Sequence, residues 1–176
     1  TKTESNDVTL THPGRFDFNG YNNVTAPNYT GVPETQVWDG TVTFGWASLG
    51  PVDAFVRPEY YPAPHPTVDP LLWDGHFVQW TTGPGTFQVA VVPNRTYQVQ
   101  ILTGDWTHPH DHEQFRVYDP SQIGVPGADV TKIVSTQADV TEYTTVRFEV
   151  QVGDSGLLYI EMDDRSDDLA VPGAET

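Results

Sequence analysis

The chain has 176 residues, 37% of them hydrophobic, enough for one well-buried core and too few for two large ones. Eight Lys and Arg stand against 24 Asp and Glu, a formal net charge of -16 with a pI near 4.3, so long-range repulsion opposes nucleic acid and anionic membranes as partners unless a cation mediates. Cysteine is absent, which removes disulfides, thiol catalysis and Cys-based zinc sites together.

Residues 1–13 are polar and Thr-rich and read as a flexible N-terminal tail or linker. Arg15-Phe16-Asp17-Phe18 alternates polar and aromatic residues and meets Asn19-Gly20, the pattern of a strand that ends in a turn. Trp38 to Trp46 carries aromatic residues around a turn and a short strand. From there to residue 169 the chain continues as short extended runs separated by Gly, Pro, Asn and Asp, with no sustained 3.6-residue apolar period. That pattern predicts an all-β domain over residues 14–169, an antiparallel two-sheet jelly-roll β-sandwich. Residues 170–176 read as a distorted final strand or a C-terminal linker. No apolar run approaches the 18 residues of a membrane span, so a soluble chain without membrane insertion is expected.

Ser48 to Pro70 interrupts the alternation with six prolines and reads as a long irregular insertion. It carries Phe55, Arg57, Tyr60, Tyr61 and His65, residue types suited to stacking on a ring and hydrogen-bonding its rim, with pinning the loop to the sandwich as the competing role. Leu71 to Trp80 returns to strand. In Gly85 to Leu102, Phe87, Val89 and Val91 alternate with polar or small neighbours, Pro93-Asn94 turns the chain, and Tyr97, Val99 and Ile101 alternate again. Two strands joined by a tight turn are expected. Trp106 to Gln114 reads as a polar, His-rich loop before the pattern resumes at Phe115 and Val117. Ile133 to Val134, Thr144 to Val152 and Leu157 to Met162 complete the sheets. The expected interior is Trp46, Phe87, Val89, Tyr97, Val99, Phe115, Val117, Phe148 and Val150.

Three chemistries follow from residue type and spacing. His108, His110 and His112 alternate, and in an extended segment neighbouring members stand about 7 Å apart on one face, a spacing that metal-ligating imidazoles can use. Pro109 distorts that run, and tying the loop down by hydrogen bonds is the competing role. Asp163, Asp164, Asp167 and Asp168 place four acids in six residues, a candidate, joined by Asp17 or by backbone carbonyls of a neighbouring loop, for a structural Ca²⁺, a hard ion that takes six or more oxygens, although exposed acids are also simply solvated. A sugar site needs exposed rings ringed by planar donors and acceptors. The residues that offer both are Trp106, His108, His110, Asp111 and Glu113, with Trp73, Asp74, Tyr60 and Tyr61, and with Arg57 to meet any glycan carboxylate.

Phe16-Asp17-Phe18, Tyr29-Thr30-Gly31-Val32 through Phe44-Gly45-Trp46, Asp69-Pro70-Leu71-Leu72-Trp73-Asp74-Gly75-His76, the segment Thr86 to Asp105 and His110-Asp111 occur in that order along the chain. In this the chain resembles galactose-binding-like β-sandwiches, of the malectin-like and family 35-like carbohydrate-binding kind, found beside rhamnogalacturonan acetylesterase-type hydrolases and polysaccharide lyases in secreted bacterial enzymes. The resemblance spans most of Arg15 to Met162, and it departs in the length of the Ser48 to Asp69 insertion and in the weak final strand. It implies a non-catalytic carbohydrate-binding module for a plant or algal cell-wall polysaccharide or oligosaccharide, extracellular, with a neighbouring catalytic domain. No Gly-x-Ser-x-Gly or His-Glu-x-x-His pattern is present, which sets a small hydrolase or lyase behind a binding module. A structural or adhesive domain of a surface assembly is the other alternative.

Overall fold

A computed structural model describes residues 14–20, 25–56, 70–72, 74–78, 82–105, 110–136 and 143–165. Among them there is no α-helix. The elements are β1 (Phe16–Asn19), β2 (Thr30–Pro33), β3 (Phe44–Trp46), β4 (Val52–Val56), a 3-10 turn at Pro70–Leu72, β5 (Asp74–Val78), β6 (Gly85–Ala90), β7 (Arg95–Thr103), β8 (His110–Tyr118), β9 (Asp129–Thr136), β10 (Thr144–Val152) and β11 (Leu157–Asp164). One five-stranded antiparallel sheet has the order β3-β6-β11-β8-β9. Three two-stranded sheets accompany it: β7-β10 and β4-β5 antiparallel, and β1-β2 parallel.

Alternation decides which faces meet. In β10, Val146, Phe148, Val150 and Val152 are buried while Thr145, Arg147, Glu149 and Gln151 are exposed. The buried set packs with Phe115 and Val117 of β8 and Leu158 of β11, and Tyr97, Val99 and Ile101 of β7 close over it. A second cluster, Val32, Trp46, Phe87 and Val89, takes Phe16, Phe18, Phe44 and Val52 around it. Burial of each such side chain contributes about 1.5–3 kcal/mol. The smaller sheets therefore lie over one face of the five-stranded sheet, a β-sandwich-like all-β architecture. Of the expected interior, Trp46, Phe87, Val89, Phe115, Val117, Phe148 and Val150 are buried, whereas Tyr97 and Val99 are only partly so.

Four local expectations are corrected. The strands on either side of Pro93-Asn94 are not a hairpin: β6 pairs with β3 and β11, and β7 pairs with β10 alone. The turn is an arch between layers, held where Val91 N–H donates to Gly156 O at 2.8 Å and Asn94 N–H donates to Gly153 O at 3.1 Å, with Asn94 at a φ of 57°. Each strand then buries its apolar face against the other layer, and period two is the same for an arch as for a hairpin. The expected insertion after Ser48 contains β4, because the proline-free stretch Val52–Val56 pairs along its whole length with β5. The expected loop up to Gln114 is strand from His110 onward, kinked by a bulge between His110 and Glu113 where His112 takes a φ of 55°. The acidic end does not leave the sheet at Asp163, since β11 continues to Asp164 opposite Glu113.

Candidate functional site: a polar trough on the outer sheet face

Phe115 and Val117 point inward, so Gln114, Arg116 and Tyr118 leave β8 on the other face. The register sets Arg116 beside Glu161 of β11 and Thr131 of β9, and Tyr118 beside Tyr159 and Asp129. Gln114, Arg116, Asp129, Thr131 and Glu161 floor an open trough of about 540 Å³, walled by Gly124 and Pro126 from the connection between β8 and β9, and Tyr118 and Tyr159 continue the same sheet face beside it. The size is within the range of ligand clefts.

Arg116 is fixed from three sides. Its Nε and Nη2 donate to Asp129 Oδ1 and Oδ2 at 2.8 and 2.7 Å, Glu161 Oε1 lies 3.9 Å from Nη1, and the guanidinium sits 4.3 Å from the centre of the Tyr118 ring. Hydrogen bonding from Arg116 holds the Asp129 carboxyl below the ordinary carboxylate range and pushes the guanidinium pKa up in return. Tyr118 donates to Glu161 Oε2 at 3.4 Å, and burial, then the Glu161 charge, push its phenol up. Tyr159 meets Tyr118 edge to face at 5.5 Å. One cation against two carboxylates leaves the floor with a small negative excess.

The wall is anchored from below. Asp119, fully buried, accepts at Oδ1 from Ser121 N–H, Ser121 Oγ–H and Ser155 Oγ–H, each at 2.8 Å, and at Oδ2 from Gly153 N–H at 2.7 Å. Burial opposes its charge, and those donors outweigh it, so its carboxyl titrates below the ordinary value. Gly124 N–H then donates to Asp129 Oδ2 at 2.7 Å, which ties the wall to the floor. Ile123 and Val125, on either side of Gly124 in the same connection, are 62% and 45% exposed.

The expected site residues are dispersed. Trp106, His108, Trp73, Tyr60, Tyr61 and Arg57 lie outside the described residues, as do Asp167 and Asp168. His110 and Asp111 are the first two residues of β8. Glu113 is half-buried on the same strand and accepts from Thr103 Oγ–H at 2.5 Å. Asp74 is buried at the start of β5, in a different sheet. Asp163 and Asp164 are consecutive in β11, so their side chains leave on opposite faces, and Asp163 accepts from Arg165 at 3.4 Å. Among the described residues no three His, Asp or Glu side chains form a metal-binding group. The bulge at His112 breaks the alternation on which a shared face for His110 and His112 depended.

Arg116, Tyr118, Asp129, Tyr159 and Glu161 were not singled out from the sequence. Alternation alone puts Arg116 and Glu161 opposite their apolar neighbours, but nothing in the sequence announces that β8 and β11 are adjacent in the register that joins them.

No family model, curated protein or solved structure matches the chain.

Proposed function

We propose that this chain is a non-catalytic carbohydrate-binding module of jelly-roll type that takes a neutral cell-wall polysaccharide of plant or algal kind along the outer face of its five-stranded sheet. The observation that carries the reading is the trough: a held Arg116 fork and two carboxylates on rigid strands, with Tyr118 and Tyr159 on the same sheet face beside it. Sugars offer an apolar C–H face and planar sets of hydroxyls, and this surface offers partners for both. The negative excess of the floor, on a chain of net charge -16, favours a neutral glycan over a polyuronate.

Binding rather than hydrolysis is favoured by the state of Asp129. A general acid needs a raised pKa, and this carboxylate has both oxygens on Arg116 and a lowered one. The His-rich segment enters β8 at His110, on the strand that carries Gln114 and Arg116. An extracellular setting beside a polysaccharide-degrading domain belongs to the same reading, and a net charge of -16 suits a soluble surface in salty, extracellular conditions.

The exposed Ile123 and Val125 favour the surface-assembly alternative, in which the same wall docks another protein. Affinity electrophoresis through gels of neutral and acidic polysaccharides separates the readings. Retardation by a neutral glycan without release of reducing sugar supports the module. Reducing-sugar release would make it an enzyme, and self-association without retardation by any glycan would favour assembly.

A further inference from the structure

Asp74 is only 7% exposed, and its two oxygens are treated differently. Oδ2 accepts from Gly20 N–H at 2.8 Å, whereas Oδ1 is buried with no hydrogen-bond partner. An orphaned oxygen on a buried carboxylate is costly, because it has given up water and received nothing. Asp17, 3% exposed, stands near enough for its negative charge to act on Asp74, and its own Oδ2 accepts from Ala26 N–H at 2.7 Å. Burial raises the Asp74 pKa most, the Asp17 charge raises it further, and the Gly20 N–H only partly opposes them.

Other oxygens collect at the same end of β1. Asp17 and Asn19 are buried, on the opposite face from Phe16 and Phe18, which enter the aromatic cluster. Asn19 Oδ1 accepts from Thr25 Oγ–H at 3.1 Å. Gly31, opposite Asp17 in β2, has no room for a Cβ, which would overlap Asn19 Oδ1 and Thr25 Oγ1. The nearby imidazole is already committed. Trp46 Nε1–H donates to His76 Nδ1 at 3.1 Å, so the ring proton is on Nε2, which donates to Asn19 O at 2.9 Å. The groups gathered here that could ligate an ion are therefore oxygens, two of them on carboxylates.

We propose that Asp17 and Asp74 hold a structural divalent cation of the Ca²⁺ type at the end of β1, with the orphaned Asp74 Oδ1 as one of its ligands. Two negative charges match one divalent ion, and an all-oxygen set of mixed carboxylate and amide groups suits a hard, geometrically tolerant one. The site is distinct from the 163–168 acids and independent of the trough. It would join β1 to β5 by a bond that neither strand supplies through the sheet.

The test uses the full chain, stripped with chelator and titrated with Ca²⁺ at pH 7.5, followed by calorimetry and thermal melting. Asp74→Asn keeps an acceptor for Gly20 but removes the charge, and Asp163→Asn is the control at the other acidic segment. Wild type and Asp163→Asn should bind Ca²⁺ and melt several degrees higher in excess ion, and Asp74→Asn should lose both responses. Should Asp74→Asn fail to fold, Asp17→Asn read by Tb³⁺ luminescence excited through tryptophan replaces it, with loss of the signal expected. Three results would overturn the site: no Ca²⁺ binding by wild type, unchanged binding by the Asp17 or Asp74 variant, or loss of binding on Asp163→Asn. Stabilisation by mild acid with no response to Ca²⁺ would overturn it too, since a proton then satisfies Oδ1.

Discussion

The two halves of the core are made of different material. Between β7-β10 and β8-β11 it is largely aliphatic, and the strands run eight or nine residues. Around β1, β2 and β3 it is aromatic, with Phe16, Phe18, Phe44, Trp46 and Phe87 in tilted and edge-to-face contact at 4.9 to 6.2 Å, and the strands run three or four residues. Long strands satisfy their backbone through their ladders and need only alternation to pack. Short strands end soon, and their unpaired N–H and C=O groups must find side chains. Asp17 on Ala26, Asp74 on Gly20 and His76 on Asn19 do that here. The aromatic half therefore buries charge along its short strands, whereas the buried carboxylates of the aliphatic half, Asp105 and Asp119, stand just past the ends of β7 and β8.

Truncation should separate the halves. Trp46→Ala is expected to cost about 3–5 kcal/mol, because it opens a large cavity and strips His76 Nδ1 of its donor. Val150→Ala, equally buried, should cost about 2 kcal/mol by loss of apolar contact alone. Equal losses in urea unfolding would break the distinction. Asp119→Ala lies at the sandwich edge and should cost about 2–3 kcal/mol, since it orphans the Gly153 and Ser121 amides, and Asp119→Asn should recover part of that.

Acid sharpens the comparison with a smaller effect. Burial holds His76 down to about 4, from an ordinary 6.5, although its bond to Asn19 opposes the shift. A lowered histidine contributes stability that is fully present above 6.5 and is lost as pH falls through about 4. Asp74, raised to about 6, acts in the opposite sense: its contribution is present below 3.8 and is lost as pH rises through about 6. With chelator present, stability between pH 4 and 6.5 should therefore change little in wild type. It should fall with acid in Asp74→Asn, where the Asp74 contribution no longer offsets that of His76. Melting curves across that interval check the sign, and a flat profile in the variant would contradict it.

What the sequence made legible follows the same division. The alternation of Val146, Phe148, Val150 and Val152, and of Phe115 with Val117, was readable because eight or nine residues repeat one period. The hairpin at Pro93-Asn94 was misread because local pattern carries no information on which layer the second strand joins. β4 was hidden between prolines, and β8 was shortened because a bulge and three histidines look like loop. The trough was invisible for a further reason: Arg116, Asp129 and Glu161 come from three strands, and only their register makes them one surface. The Asp17 and Asp74 pair is 57 residues apart in the chain, and no spacing rule joins them.

The most direct measurement of the central claim is calorimetric titration of wild type, Tyr159→Ala and Arg116→Ala with the neutral polysaccharide that best retards the wild type. Arg116 holds a largely buried Asp129 through two charge-assisted hydrogen bonds, so its removal should cost about 1.5–3 kcal/mol of stability, and the affinities are compared at a temperature where every variant is folded. The account predicts that Arg116→Ala binds at least tenfold more weakly and Tyr159→Ala severalfold more weakly, both folded. Binding by a folded Arg116→Ala with wild-type affinity would contradict it and remove the outer sheet face as the glycan site.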